Sequence, residues 1–167
     1  MVEEKRIRID RARQLVKRGV DFLVIDSADG HTCYQLETLQ WCKKNLPIPI
    51  IAGNVVTAEA FELLAQEKAD AVKIGMGIGS GCTTQEVKAT GRGQATAIKE
   101  IAIARDKLAA HGTYVPLIAD GGISSSADIA IALALGANTV MMGNFFARFT
   151  EGNSRLVRNK QGETFKE

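Results

Sequence analysis

The sequence predicts an α/β fold of repeating βα units around a parallel sheet, on three observations. Short apolar runs alternate with amphipathic stretches along the whole chain, and each run ends in Asp, Asn or Gly. The run-end markers Asp26, Gly53, Gly75, Asp120 and Gly143 recur at similar intervals, except for one about twice the others that contains the glycine-rich stretch Gly75 to Gly93. A regular βα period with one enlarged loop after a strand is how a (β/α)8 TIM barrel carries its active site. A flavodoxin-like open sheet is the alternative.

The elements follow in order. A helix with Ala12, Leu15 and Val16 on one face stops at Gly19. FLVID (Phe22 to Asp26) is the first buried strand, and a helix over the Tyr34 to Trp41 region ends before Pro47. PIIAGN (Pro49 to Asn54) is the second strand; Thr57 then N-caps a helix carrying Phe61, Leu63 and Leu64. AVKIG (Ala71 to Gly75) is the third strand, and a longer helix bears Ile98, Ile101, Ala102 and Leu108 before Gly112. PLIAD (Pro116 to Asp120) is the fourth; the SSSAD stretch opens a helix through Ile129 and Leu133 to Gly136, and TVMMG (Thr139 to Gly143) is the fifth. Helical crossovers make these strands parallel.

Eight barrel strands need about 250 residues, and this chain of 167 shows five. Either the sheet is open, or residues 1–149 are the C-terminal part of a barrel without its first three strands. From Thr150 to Glu167 the sequence is polar and aperiodic, and reads as a mobile tail or a shortened loop.

Composition narrows the function. A hydrophobic fraction of 46%, 24% charged residues and a net charge of +2 fit one ordinary domain. With 5% aromatics and no long basic block, neither a nucleic-acid groove nor a membrane-binding face is expected. The charged start and the absence of any span-length apolar window point to a cytoplasmic protein. Cys33, Cys42 and Cys82 are an odd number with no CxxC pair, which argues against a disulfide framework and a zinc site. Cys33 and Cys42 fall in an apolar helical pattern and read as small buried hydrophobes.

Cys82 does not fit that reading, because GMGIGSGCTTQEV (Gly75 to Val87) places it after a run of glycines and before two threonines. A thiol with a pKa of about 8.5 is only a few per cent ionised at neutral pH, yet it is strongly nucleophilic. Oriented backbone amides would raise the thiolate fraction, and carbonyls of the same turn can bind a monovalent cation. ADGG (Ala119 to Gly122) and MGN (Met142 to Asn144), at consecutive strand ends, favour a phosphate-bearing ligand. Asp26 and Asp120 are placed to accept from ribose hydroxyls, whereas Asp29 reads as a turn cap. Lys73 lies inside an apolar strand and needs a partner or a role; a Schiff-base lysine of an aldolase is one rival chemistry. His111 ends a helix and reads as structural, and His31 as a solvated turn histidine.

Together, GMGIGSGCTTQEV, GRGQATA (Gly91 to Ala97), IADGGI (Ile118 to Ile123), ALALGANTVMMGN (Ala132 to Asn144), VIDSADGH (Val24 to His31) and AGNVVT (Ala52 to Thr57) closely resemble the catalytic barrel of the IMP dehydrogenases. The resemblance runs from about Asp21 to Phe149. It implies the last five βα units of a barrel and NAD-dependent oxidation of inosine 5′-monophosphate (IMP) to xanthosine 5′-monophosphate (XMP). It further implies Cys82 as nucleophile with Thr84 beside it. Ser80, Gly121, Gly122, Gly143 and Asn144 would hold the substrate phosphate and Asp120 its ribose. Asp26, Ser27, Asn54, Lys73 and Gly75 would lie on the cofactor side, and carbonyls of Gly77, Gly79 and Cys82 would bind potassium. A homotetramer is implied for the full-length parent.

The sequence departs from the family pattern at Gly81 (usually aliphatic), Asn144 (often serine), Ala28 (a serine) and Lys73 (commonly arginine). The family's regulatory CBS pair and its mobile flap, which activates water, are also not in these residues, so the isolated chain is expected to turn over poorly. GMP reductase and a non-catalytic nucleotide-binding half barrel are the alternatives.

Overall fold

The computed structural model describes residues 2–149, 151–152, 155–159, 162 and 164–166. Seven helices and seven strands are formed by the described residues. Helix α1 (Val2–Lys17) leads into β1 (Leu23–Asp26), α2 (Cys33–Asn45), β2 (Ile50–Val55), α3 (Ala58–Gln66) and β3 (Ala71–Ile74). After an enlarged loop holding α4 (Thr84–Lys88) come α5 (Gln94–Ala110), β4 (Leu117–Asp120), α6 (Ser126–Ala134), β5 (Thr139–Met141) and α7 (Gly143–Ala147).

The five expected strands form one parallel sheet in the order β1-β2-β3-β4-β5. A flavodoxin-like sheet doubles back on itself; this one never does, so that alternative is excluded. Because parallel crossovers are right-handed, a monotonic order puts every connecting helix on the same face. The core confirms this. Leu23, Ile50, Ala52, Val72, Ile74, Leu117 and Ala119 of the strands pack with Leu39, Phe61, Leu64, Ile98 and Ile101 of the helices. The alternate strand positions, which include Val24, Asp26, Lys73, Ile118, Asp120 and Met141, line the opposite face. Strand β2 breaks its alternation where the register shifts between Ala52 and Val55. Val55 thereby joins the core, and Asn54 reaches across the other face to Asp120.

Local signals set the helix ends. The Thr57 hydroxyl accepts from Ala60 N–H at the start of α3. Ser125 and Asp128 form a reciprocal capping box on α6, with Asp128 Oδ2 also accepting from Ser124 N–H. Gly19, Gly112 and Gly136 follow α1, α5 and α6 at positive φ, as expected of helix stops.

Three expectations are corrected. Cys33 is exposed, because it opens α2 and the buried face of that helix runs through Gln35, Leu39 and Cys42 instead. Met142 to Asn144 is not a simple turn: β5 ends at Met141 and Gly143 opens the short helix α7. Part of the stretch after Thr150 is paired, β6 (Leu156–Arg158) lying antiparallel to β7 (Thr164–Lys166). Strands of three residues are too short to leave a period-two signal in the sequence.

Candidate active site

The C-terminal strand ends gather the residues singled out from the sequence. Gly75 ends β3 with φ 137°, and a Cβ there would overlap the carbonyl oxygen of Asp120. Only glycine lets the two strand ends approach so closely. Gly77, at φ 79°, packs against Gln85, whose Cγ would lie 2.5 Å from an added Cβ. The far end of the loop is tied down as well. Arg92 donates from its backbone to Met76 O at 3.3 Å and from Nη1 to Val56 O at 2.9 Å, while its Nη2 meets Glu100 at 2.6 Å. Gln94 Nε2 donates to Ile74 O at 2.9 Å and Asp120 O at 3.2 Å, bridging β3 and β4.

Cys82 stands exposed between these anchors. Its Sγ lies 3.2 Å from Thr84 Oγ1, and its backbone N–H donates to Gly79 O at 2.9 Å. The thiol donates to the hydroxyl, and as a thiolate it accepts from it. The Thr84 hydroxyl, then the Thr84 amide and the amides of Gly77 and Gly79, stabilise the anion and hold the Cys82 pKa below that of an ordinary thiol. Cys42 shows the opposite case, its pKa raised by burial.

Two cavities flank the loop. One, of about 280 Å³, is lined by Asp26, Ser27, Asn54, Gly75, Gly77, Cys82 and Thr84, with Ala28 and Met76. The other, of about 600 Å³, is lined by Gly79, Ser80, Asp120, Gly121, Gly122, Gly143 and Asn144, among others. The first cavity brings together Asp26, Ser27, Asn54 and Gly75, and the second Ser80, Asp120, Gly121, Gly122, Gly143 and Asn144, whereas Lys73 stands apart from both. Its side chain is 4% exposed and lines neither cavity. Instead Nζ donates to Asp26 Oδ1 and Asp120 Oδ2, both at 2.9 Å, with Met141 Sδ at 3.6 Å. Burial alone would lower its pKa, but the bonds and charges of Asp120 and Asp26 outweigh burial and raise it. An amine held as a paired ammonium is a poor Schiff-base nucleophile, which removes the aldolase reading.

The donor sets suit the groups expected there. Asn54 Nδ2 donates to Gly75 O at 2.8 Å and Asp120 Oδ2 at 2.9 Å, while its buried Oδ1 has no partner among the described residues and offers an acceptor beside the smaller cavity. The oxygens of Gly77, Gly79 and Cys82 are neutral carbonyls, the ligand type that monovalent cations take, although Gly79 O already accepts from Cys82 N–H. Asp29 Oδ1 accepts from His31 N–H at 2.9 Å, the expected turn cap. His111 Nδ1 lies 2.8 Å from Lys107 O at the end of α5, a structural contact.

The sequence alone did not single out Gln94, Gln85 or Arg92. All three lie in or beside quoted motifs, but their work is to brace backbone carbonyls and glycines brought close by folding.

Residues 2–167 match the IMP dehydrogenase / GMP reductase domain family. The chain is 46% identical over 161 residues to inosine-5′-monophosphate dehydrogenase 2 of Arabidopsis thaliana, covering 92% of this chain and 31% of that protein. It is 49% identical over 149 residues to the enzyme of Vigna unguiculata (89% and 29%), and 45% identical over 160 residues to that of Helicobacter pylori strain J99 (95% and 32%). The chain thus spans about three tenths of the length of these curated relatives. With its motifs standing together at the strand ends and the match running across nearly all of its length, the chain belongs to the IMP dehydrogenase / GMP reductase family.

Proposed function

We propose that this chain carries the nucleotide-oxidising site of an IMP dehydrogenase, and that its five-stranded sheet is part of a (β/α)8 barrel. The observation that supports this best is the position of Cys82. An exposed sulfur with anion-stabilising donors shares a cavity with Asp26, Asn54 and Thr84, while the same loop continues into the larger cavity around Asp120.

In this reading IMP lies in the larger cavity. Its phosphate meets Ser80, Gly121, Gly122, Gly143 and Asn144, and a ribose hydroxyl donates to Asp120. The Cys82 thiolate forms a bond to C2 of the purine, and the hydrogen on C2 leaves with its electron pair. Asp26, Ser27, Asn54 and Gly75 would hold NAD, which would supply the acceptor for that hydride. Water then replaces the sulfur at C2, giving XMP and returning Cys82 with a proton. Thr84 stabilises the thiolate before attack and after release. Potassium would be held by the carbonyls of Gly77, Gly79 and Cys82 and would fix the loop.

Two measurements test the proposal. Treatment with a 6-chloropurine ribotide, followed by peptide mass spectrometry, is expected to place the adduct on Cys82; an adduct confined to Cys33 or Cys42 overturns the assignment. NADH formation from IMP and NAD, compared with NADPH consumption on GMP, separates the dehydrogenase from GMP reductase in a protein of the relatives' full length that carries this sequence.

A further inference from the structure

Lys73 is the one buried cation on the site face of the sheet among the described residues, and its three protons are committed. Two go to carboxylates on strands that are not neighbours, Asp26 on β1 and Asp120 on β4, and the third faces Met141 Sδ on β5. Asn54 of β2 adds a second donor to the same Asp120 oxygen, Oδ2. Among the described residues, Asp26 Oδ2 and Asp120 Oδ1 have no partner, so each carboxylate keeps one oxygen for a ligand. The two carboxylates line different cavities, Asp26 the smaller and Asp120 the larger.

We propose that Lys73 is a positioning residue that couples the two ligand sites, one ammonium holding the acceptor of each. This rests on the functional reading above and adds to it a role for a side chain that touches neither ligand. One positive charge faces two negative ones, so the strength of either bond depends on the other carboxylate. A hydroxyl donated to Asp120 Oδ1 draws charge away from Oδ2 and weakens its hold on Nζ. Lys73 then binds Asp26 more tightly and fixes its free oxygen for the second ligand. The coupling runs equally in both directions.

Calorimetric titration of IMP, with and without saturating NADH, tests this in the purified protein. NADH cannot accept a hydride, so no turnover interferes. In the wild type NADH is expected to change the IMP affinity by on the order of fivefold or more. Lys73→Gln and Asp26→Asn are expected to remove that dependence, and Asp26→Asn to tighten IMP binding although Asp26 does not line the IMP cavity, because Lys73 is then left to Asp120. Lys73→Arg, which retains two donors and the charge, is expected to restore the dependence; a purely space-filling role would not be rescued in this way. Melting curves identify any variant that fails to fold, and Asp26→Asn, at a 73% exposed side chain, keeps the test decisive if Lys73→Gln does. The proposal is overturned if the wild type shows no dependence, if Asp26→Asn leaves it intact, or if Lys73→Arg behaves as Lys73→Gln. A wild type that binds neither nucleotide overturns the functional reading as well.

Discussion

Cys82 Sγ and Thr84 Oγ1 lie 3.2 Å apart at the open side of the loop, so the sulfur is bonded to a hydroxyl that can act as donor or acceptor. Each ionisation of the thiol reverses that bond. Thr84 therefore favours the thiolate and lowers the Cys82 pKa. Iodoacetamide labelling followed by peptide mass spectrometry is expected to show Cys82 reacting with an inflection below that of an ordinary thiol. Thr84→Val should move the Cys82 inflection to higher pH. An unmoved Cys82 inflection would remove Thr84 from the mechanism.

Gly75→Ala forces a methyl group onto the Asp120 carbonyl at a φ that side chains rarely adopt. Backbone on both sides prevents simple relief. The substitution is expected to cost on the order of 1–3 kcal/mol, measured by urea denaturation, and, under the proposed function, to lower IMP affinity by displacing Asp120. Normal stability together with normal affinity would contradict the close approach of the two strand ends.

Phe61 on α3 is fully buried, whereas Ile103 on α5 is 50% exposed. Phe61→Ala should destabilise the protein by about 3–5 kcal/mol, and Ile103→Ala by much less. Chemical denaturation of the two variants side by side checks the contrast, and similar losses would mean that the helical layer is oriented differently.

The α6 capping box gives a pH-dependent prediction. Hydrogen bonds from the Ser124 amide, then the Ser125 and Ser124 hydroxyls, hold the Asp128 pKa below the usual carboxylate value. A depressed folded-state pKa adds stability that is fully present above the unfolded value of about 3.9 and disappears as pH falls through the folded one. Wild type and Asp128→Asn should therefore differ in melting temperature at neutral pH and converge in acid. A gap that persists at pH 2 would show that the carboxylate charge is not its source. Ser125→Ala, which deletes the reciprocal partner, should cost about 1 kcal/mol at neutral pH.

What the sequence revealed follows from the range of the forces involved. All five sheet strands were legible because each is a short apolar run ending in Asp, Asn or Gly, although β1 and β5 are buried less than their apolar runs suggest, and Thr57 was legible as a cap because capping acts within three residues. The resemblance named residues that line both cavities, but it also named Lys73 on the cofactor side, and Lys73 lines neither. A carboxylate 47 positions away on either side leaves no local trace, so the ion pairs needed coordinates. The exposure of Cys33 was missed for a related reason: its neighbours are apolar, and only the phase of α2 against the sheet decides which of them face inward. Gln94 was hidden differently, since its partners are backbone carbonyls, which every residue carries.

The monotonic strand order has a consequence for how the chain comes together. Each strand from β2 to β5 docks on the one made just before it, so no segment waits for a distant, later partner. A polypeptide emerging from the ribosome can lay down this sheet in the direction of synthesis, closing one modest loop at a time. The loop that carries Cys82 is flanked on both sides only when the fourth strand arrives, so the growing chain completes its candidate site late, after most of its scaffold is in place.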